Sequence, residues 1–446
     1  MLLKFAIENW MSFHDRNEIS MIATREQQHG ETVAEFSRVQ TRILPMGVLF
    51  GGNASGKSNF FLALSFVKGF VVNSFMYPPD APIFVNTFAL DEESRNKPSR
   101  FEITFLAGDD IYEYSFVVDR RMVHEESLNR ITSPAKGFSY ARVTNPETGE
   151  TTLKLGKAFA DDKPIYEMIL KTTRPNRLFL SAAIMQNATV LTPVYNWFAR
   201  TLQMISPTSR YEALERYADA SWIGSERMNS MLSEFDTGIA KISRIPVERA
   251  QIPVPQPILD GIERKVPDGK SIRIFLEARA LPYMVTRKDG RYIYEKIVAQ
   301  HHAPRLPGGV SEFEIEHESD GTKRILEILP AFAELELQDE PRVVVIDEID
   351  RCLHAMATRR MIRFFRDSRT VESRSQLLAT THAISLLDQE LLRRDEMWLV
   401  ERDHESESSR IYSVAEFSEA RKDKDLARSY LAGRMGGIPS IDAFTS

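Results

Sequence analysis

The stretch Phe50-Gly51-Gly52-Asn53-Ala54-Ser55-Gly56-Lys57-Ser58-Asn59 carries the pattern GxxxxGK[ST] from Gly51 to Ser58. The apolar run Ile43 to Phe50 leads into it, and Phe60, Phe61, Leu64, Val67 and Val71 follow at helical spacing. Strand, glycine loop, helix is the order a phosphate-binding loop needs. Glycines let such a loop aim backbone N–H groups at phosphate oxygens, and the helix adds the positive end of its dipole. Lys57 supplies a compact cation to the β- and γ-phosphates, and the Ser58 hydroxyl is a ligand for Mg²⁺. A chance match in a chain of this size is expected about one or two times in a hundred from average residue usage. The local context lowers that further, so Gly51, Gly52, Asn53, Ala54, Ser55, Gly56, Lys57, Ser58 and Asn59 are read as an ATP-binding loop.

Val343-Val344-Val345-Ile346-Asp347-Glu348 is a buried-strand run ending in two acids. Asp347 is placed to hold Mg²⁺ and Glu348 to activate the attacking water beyond the γ-phosphate. Alone, the run is equally compatible with a core strand before a charged loop, and spacing decides between the two. Lys57 and Asp347 are 290 positions apart (57 to 347), too far for a small GTPase or a nucleotide kinase. Ser319-Asp320-Gly321 opens a helix before the acidic strand, and His382 closes the strand around Thr380-Thr381 after it. That order predicts an ABC-type P-loop ATPase head. In it, Ser319 and Gly321 bind the γ-phosphate of ATP held by a second subunit. His382 contacts the γ-phosphate within its own subunit, and Asp350 lies in a loop crossing the dimer interface. Each piece has a plainer reading: an isolated serine-x-glycine is more often an N-cap, and a lone histidine is more often structural. Their joint order favours the functional one.

Weaker candidates remain. Gln186, in LSAAIMQNATV, is the candidate glutamine for sensing Mg²⁺ and water, against a plain surface glutamine. His301-His302 lacks metal partners nearby and reads as a strand end. Cys352, Leu353 and His354 read as a helix start. Arg359-Arg360 and Arg393-Arg394 read as solvated helix faces. Pro330 is expected to kink the helix that Ser319 opens.

Along the chain, LLKFAIEN and EISMIAT predict two strands before the loop. FVNTFAL, RFEITFLAG and DIYEYSFVV alternate with period two and predict antiparallel sheet. Tyr166 to Phe235 reads as mainly helical. Strands return at KISRIPVE, SIRIFLEA and YMVTRKDGRYIYEKIVA, the last with an Asp289-Gly290 hairpin turn. From Phe313 an α/β rhythm resumes through VVVID, QLLATT, a further helix and MWLVE, which predicts a sheet of parallel character. The expected division is 1–150 as the first half of the head, 151–306 as a long, mainly helical insertion with a β-hairpin, and 307–446 as the second half.

The chain's 446 residues, 43% apolar and 27% charged, suit two or three folded lobes. Its net charge of -6 argues against coating nucleic acid through bulk charge, although a local basic groove is compatible with it. One cysteine permits neither an internal disulfide nor a multi-cysteine zinc site. No signal peptide or uncharged membrane span is expected, so no membrane partner is either, and the expected location is cytoplasmic.

FAIENWMSF, FGGNASGKSNFF, ESDGTKRIL, VVVIDEID, ATTHAISLLD and the tail YLAGRMGGIP together resemble the AAA/ABC-like ATPases of bacterial anti-phage and abortive-infection systems. Among these it resembles the ATPase subunits of AbiL-type and PARIS systems, and more distantly SMC-like repair ATPases and OLD nucleases. The resemblance covers both ends of the chain and little of the middle. It implies ATP hydrolysis with Mg²⁺ and a homo-oligomer built on a dimer of heads. It also implies a separate effector protein, a nuclease or toxin, under ATPase control. The signature reads ESDG rather than LSGG, which speaks against transport. The 64 residues after His382 leave no room for a fused TOPRIM nuclease, and the absence of heptads removes long coiled-coil arms. Two other readings stay open: a DNA-repair or restriction ATPase acting with a separate nuclease, and an oligomeric scaffold in which ATP is a structural ligand.

Overall fold

A computed structural model describes residues 1–37, 40–131, 136–208, 217, 225–276, 279–337, 340–403, 405–417 and 425–436. The last residues of the tail motif, from 437 onward, lie outside it, as does most of 209–224. The chain divides into two compact units, Met1–Pro207 with Leu337–Asp350 and Met361–Ser446, and Thr208–Glu336 with Arg351–Arg360.

In the first unit, the strands Met46–Phe50, Val343–Ile346 and Gln376–Thr380 are buried at every position. Burial at every position, mostly of apolar side chains, is what a parallel strand covered on both faces requires. They form a six-stranded sheet in the order 202–205, 343–346, 376–380, 46–50, 397–402, 409–413, parallel except for the last pair. A second sheet of seven antiparallel strands runs 151–155, 136–144, 123–131, 110–118, 99–107, 2–8, 17–20. The phosphate-loop helix, Lys57–Asn73, supplies Phe60, Leu64, Val67, Phe70 and Val71 to the core the sheets share. By length and composition this helix with its following turn could cross a membrane, but here its apolar side is packed, with Phe66 and Phe70 against Phe116. Buried Gln376 stitches the sheets together: its side-chain oxygen accepts from Leu2 N, and its amide nitrogen donates to the Leu2 and Leu44 carbonyls.

The α/β class, the antiparallel sheet and the ABC-type P-loop architecture read from the sequence are all present. Several finer expectations are corrected. Residues 84–90 alternate between buried and exposed but form no strand. Asn86 O accepts from Met11 N, and Phe88 N donates to the Asn9 side chain, so no ladder remains for them. Residues 202–205, expected in a helix, are the edge strand beside 343–346. Between His382 and the strand 397–402 there are only 3-10 turns, 384–386 and 394–396, where a helix was expected. Arg393 and Arg394 are no solvated face: Arg393 is 0% exposed and holds Asp395, and Arg394 pairs with Glu26.

The second unit has its own core of Ile252, Val254, Leu259, Val266, Ile274, Tyr283 and Val285. Its antiparallel sheet runs 239–246, 291–302, 279–288, 271–276, with 310–314 also pairing to 291–302. Asp289 and Gly290 both take positive φ, 51° and 75°, as the predicted hairpin turn demands. The helix Asp320–Glu336 runs through Pro330 without ending there. The inserted unit therefore begins near 208, not 151, and extends to 336. Residues 151–155 and 202–205 are claimed by the two sheets of the first unit. Among the described residues of 151–306, strands 239–246, 271–276, 279–288 and 291–302 accompany the short helices, so this interval is not mainly helical.

Candidate functional site

The phosphate loop leaves the strand 46–50 at Gly51 and enters its helix at Lys57. Two glycines have no substitute there. A Cβ on Gly51 would lie 2.3 Å from Val400 O, and one on Gly56, at φ 115°, would lie 2.4 Å from Ser409 Oγ. Ser409 Oγ in turn sits 2.6 Å from Ser55 O and 2.7 Å from Ser12 Oγ. Asn59 reaches the same Ser12 hydroxyl, and its carbonyl accepts from the Trp10 indole. The loop is thus cradled from three distant parts of the sequence. Gly56→Ala is expected to destabilise the protein by about 1–3 kcal/mol, since it forces a side chain into a left-handed, occupied position. Urea unfolding without nucleotide measures it.

Lys57 is 5% exposed, and its ammonium donates to the Gly51 and Gly52 carbonyls, each at 2.8 Å. Among the described residues no carboxylate lies within 4 Å of it. Burial lowers its pKa to about 8, against the opposing pull of Asp347, Asp350 and Glu348. A desolvated cation folded back on its own loop is suited to an incoming polyphosphate. Ser58 Oγ lies 3.3 Å from Asp347 Oδ1, at the end of the acidic strand. A hydroxyl and a carboxylate so paired fit the hard, oxygen-ligand preference of Mg²⁺.

Glu348 takes φ 50°, an uncommon left-handed backbone for a side chain of its size. Thr380 holds it there, its Oγ1 accepting from Glu348 N at 2.8 Å while donating to Asp347 at 2.5 Å. The next residue, Thr381, donates to Asp350 at 2.7 Å, and the Asp350 carboxylate also accepts from His382 N at 3.2 Å. Two adjacent threonines on the strand 376–380 and just past it therefore tie the acidic turn to the histidine. Glu348 and His382 both line one cleft of 890 Å³ with Asn53 to Asn59, Met11, Ser12, the wall Val85 to Leu90, Arg95, Arg120 and Arg402.

The expected residues divide clearly. Residues 53–59, Glu348 and His382 line the cleft, and Asp347 stands behind Ser58. Asp350, expected in a loop at the dimer interface, is held within its own chain by Thr381 Oγ1 and His382 N, which donate to its carboxylate. Gln186 does not line the cleft. It ends the helix Phe179–Met185 and donates to Thr172 Oγ1, so the surface reading replaces the metal-ligand one. In the second unit, Ser319 caps its helix by accepting from Thr322 N at 3.1 Å. A Cβ on Gly321 would stand 2.8 Å from Cys352 O. His301 pairs with Glu318 at 2.7 Å, and no cluster of metal-ligating side chains occurs among the described residues. Sequence reasoning missed Ser12, Ser409, Thr380, Thr381 and the wall 85–90. Thr380-Thr381, beside His382, and Ser12, within FAIENWMSF, stood in recognised motifs but were given no role.

A family described as "AAA domain, putative AbiEii toxin, Type IV TA system" matches residues 47–143 and 305–388. Those segments contain the phosphate loop, the signature helix, the acidic strand and the histidine. Over those segments the chain is similar to an AAA-type ATPase domain. The unmatched residues between the two segments take in the first part of the inserted unit. No curated protein matches the chain. Among solved structures, an SMC head bound to the C-terminal winged-helix domain of ScpA is similar at 14% identity and TM-score 0.41, covering 92% of this chain and 97% of that one. The SMC head domain from Thermotoga maritima is similar at 14% identity and TM-score 0.37, covering 92% and 98%. TM-scores this low carry no weight, so the fold rests on the strand order and the phosphate loop of the ATPase domain itself.

Proposed function

We propose that the protein is an ATP-hydrolysing sensor or scaffold subunit of a bacterial anti-phage defence system, acting in the cytoplasm on a separate effector such as a TOPRIM-like nuclease. The observation that carries the ATPase part is the convergence of Lys57, Ser58, Asp347, Glu348 and His382 on one cleft, from three separated stretches of sequence. The family description supports the defence setting. When bound, Mg²⁺ would neutralise charge on the β- and γ-phosphates of ATP. Ser58 and Asp347 are the residues to hold it, while Lys57 and the loop N–H groups bind and orient the triphosphate. Glu348 takes a proton from the attacking water, and His382 hydrogen-bonds the γ-phosphate. Ser319 and Gly321 of a second copy complete the site, so ATP closes two heads and hydrolysis releases them.

Mass measurement in solution tests this reading. With Mg²⁺-ATP, the Glu348→Gln protein is expected to shift from its nucleotide-free mass to a dimer or larger species and to stay there. Absence of both ATP turnover in the wild type and any nucleotide-dependent change in mass would overturn it.

The Asp350–Thr381 contact gives a positioning role in this scheme. Thr381→Val keeps the shape but removes a hydrogen bond to a carboxylate, the class worth about 1.5–3 kcal/mol. The His382 backbone then loses its fixed anchor. Steady-state kinetics should show kcat down by roughly tenfold, on that same energy scale, with KM for ATP nearly unchanged. A merely destabilised protein would instead lose active fraction without a change in the remaining turnover per site.

A further inference from the structure

Although the chain is acidic overall, one end of the inserted unit is strongly basic. The loop after the helix Gln256–Glu263 and the hairpin turn between 279–288 and 291–302 are tied together. Gly269 N donates to Arg287 O, Arg287 N to Lys270 O, and Gly290 N to the Asp268 side chain. Residues 264–270 and 287–291 therefore form one surface. It holds Arg264, Lys265, Lys270, Arg287, Lys288 and Arg291 against only Asp268 and Asp289, six cations against two anions. Arg264, Lys265, Lys270, Lys288 and Arg291 are all exposed. None of these five has a carboxylate within 4 Å among the described residues, whereas Arg287 is occupied by Asp268 at 3.8 Å and by the Tyr292 ring. The nearby acid Glu263 is already taken by Arg249 and Tyr294.

Two features show this to be more than a solvated rim. Lys288 and Arg291 stand directly opposite each other in the register of the hairpin, and like charges so placed are destabilising. Among the described residues no carboxylate pairs with either of them, and the adjacent strand begins with the uncharged Ser271, bonded to Thr286. The fold thus bears a repulsive cluster on a surface that it also holds in shape through backbone hydrogen bonds. A polyanion with closely spaced charges relieves that repulsion, and duplex DNA offers one phosphate per about 1.7 Å of axis.

We infer that the basic tip of the inserted unit, Arg264, Lys265, Lys270, Lys288 and Arg291, is a docking surface for the phosphate backbone of nucleic acid, duplex DNA foremost. Its contacts go to phosphates, so it binds without reading sequence. It places nucleic acid on the inserted unit and does not depend on the proposed hydrolysis.

Fluorescence anisotropy with a labelled 30-base-pair duplex and the full-length protein tests it. Five phosphate contacts predict a log K against log salt slope of about -4.5, a loss of roughly 500-fold between 50 and 200 mM salt. The exposed triple variant Lys270→Gln/Lys288→Gln/Arg291→Gln should weaken binding at 50 mM salt at least about tenfold and flatten the slope to about -2. It should keep wild-type ATP turnover and melting temperature, which separates lost binding from lost folding. Wild-type protein that shows no salt-dependent binding overturns the inference. So does a folded triple variant that binds as tightly as wild type, or binding of a polyglutamate peptide in place of DNA.

Discussion

Glu348→Gln is expected to lower ATP turnover by at least about 100-fold while leaving nucleotide affinity within a fewfold of wild type. Removing a positioned general base costs about 10²–10⁴ in rate, and glutamine matches the shape of glutamate without its basicity. The geometry makes the substitution clean. The left-handed backbone at 348 is held by Thr380 Oγ1 accepting from the amide N–H, a contact that no side chain at 348 alters. Asp347 keeps its bonds to Ser58 and Thr380 as well. Phosphate release under single-turnover conditions, set beside binding of a fluorescent ATP analogue, separates the two quantities. Wild-type turnover in Glu348→Gln would move the base elsewhere on the cleft wall. Weakened binding with normal turnover per bound ATP would make Glu348 part of the binding frame instead.

Nucleotide affinity should be nearly constant below about pH 8 and then fall up to about tenfold per pH unit, because binding requires Lys57 in its charged form. In the nucleotide-free protein burial holds the Lys57 pKa at about 8 instead of 10.5. A phosphate beside the ammonium favours the cation and raises that value again, so binding above pH 8 takes up a proton. Calorimetry in two buffers of different ionisation enthalpy at pH 8.5 reads the uptake directly. No uptake would mean that Lys57 is not the group facing the phosphates.

The same shift bears on stability. Between about pH 8 and 10.5 the unfolded chain holds more protons at this site than the folded one, so this contribution makes the nucleotide-free protein more stable as pH rises through the window. Below pH 8 the folded state carries the full cost of the buried charge. Lys57→Met removes that cost and forfeits two hydrogen bonds to carbonyls. It should therefore abolish ATP binding while stabilising the nucleotide-free fold by about 1–2 kcal/mol at pH 7, at roughly 1.4 kcal/mol per pKa unit before the lost bonds are subtracted. Thermal melting of the two proteins without nucleotide checks the sign.

Much of this molecule could be read from the chain alone, because the deciding features are local. The phosphate loop needs its glycines, lysine and serine in consecutive positions. A strand buried on both faces must read as Val343-Val344-Val345-Ile346, and a two-residue hairpin turn must carry residues such as Asp289-Gly290 that accept positive φ. Order and spacing also pointed to Asp347, Glu348 and His382 beside the phosphate loop without any coordinates. What local pattern could not settle was which partners competing segments would find. Residues 202–205 look helical in their neighbourhood but become a strand because the edge of 343–346 is open to them. Residues 84–90 alternate like a strand, yet their backbone bonds go to Met11 and to the Asn9 side chain. Asp350 is fixed by Thr381 and His382 N, some thirty positions on, which donate to its carboxylate. Gln186 carries the residue type for a metal site but ends its helix beside Thr172. The five cations of the basic tip are scattered over 264–291 and form one surface only when the hairpin folds against the loop after 263. The sequence determined the motifs whose chemistry needs neighbours along the chain. Tertiary structure decided every contact whose partner is distant, because there several segments with the same local preference compete and only packing and hydrogen-bond satisfaction choose among them.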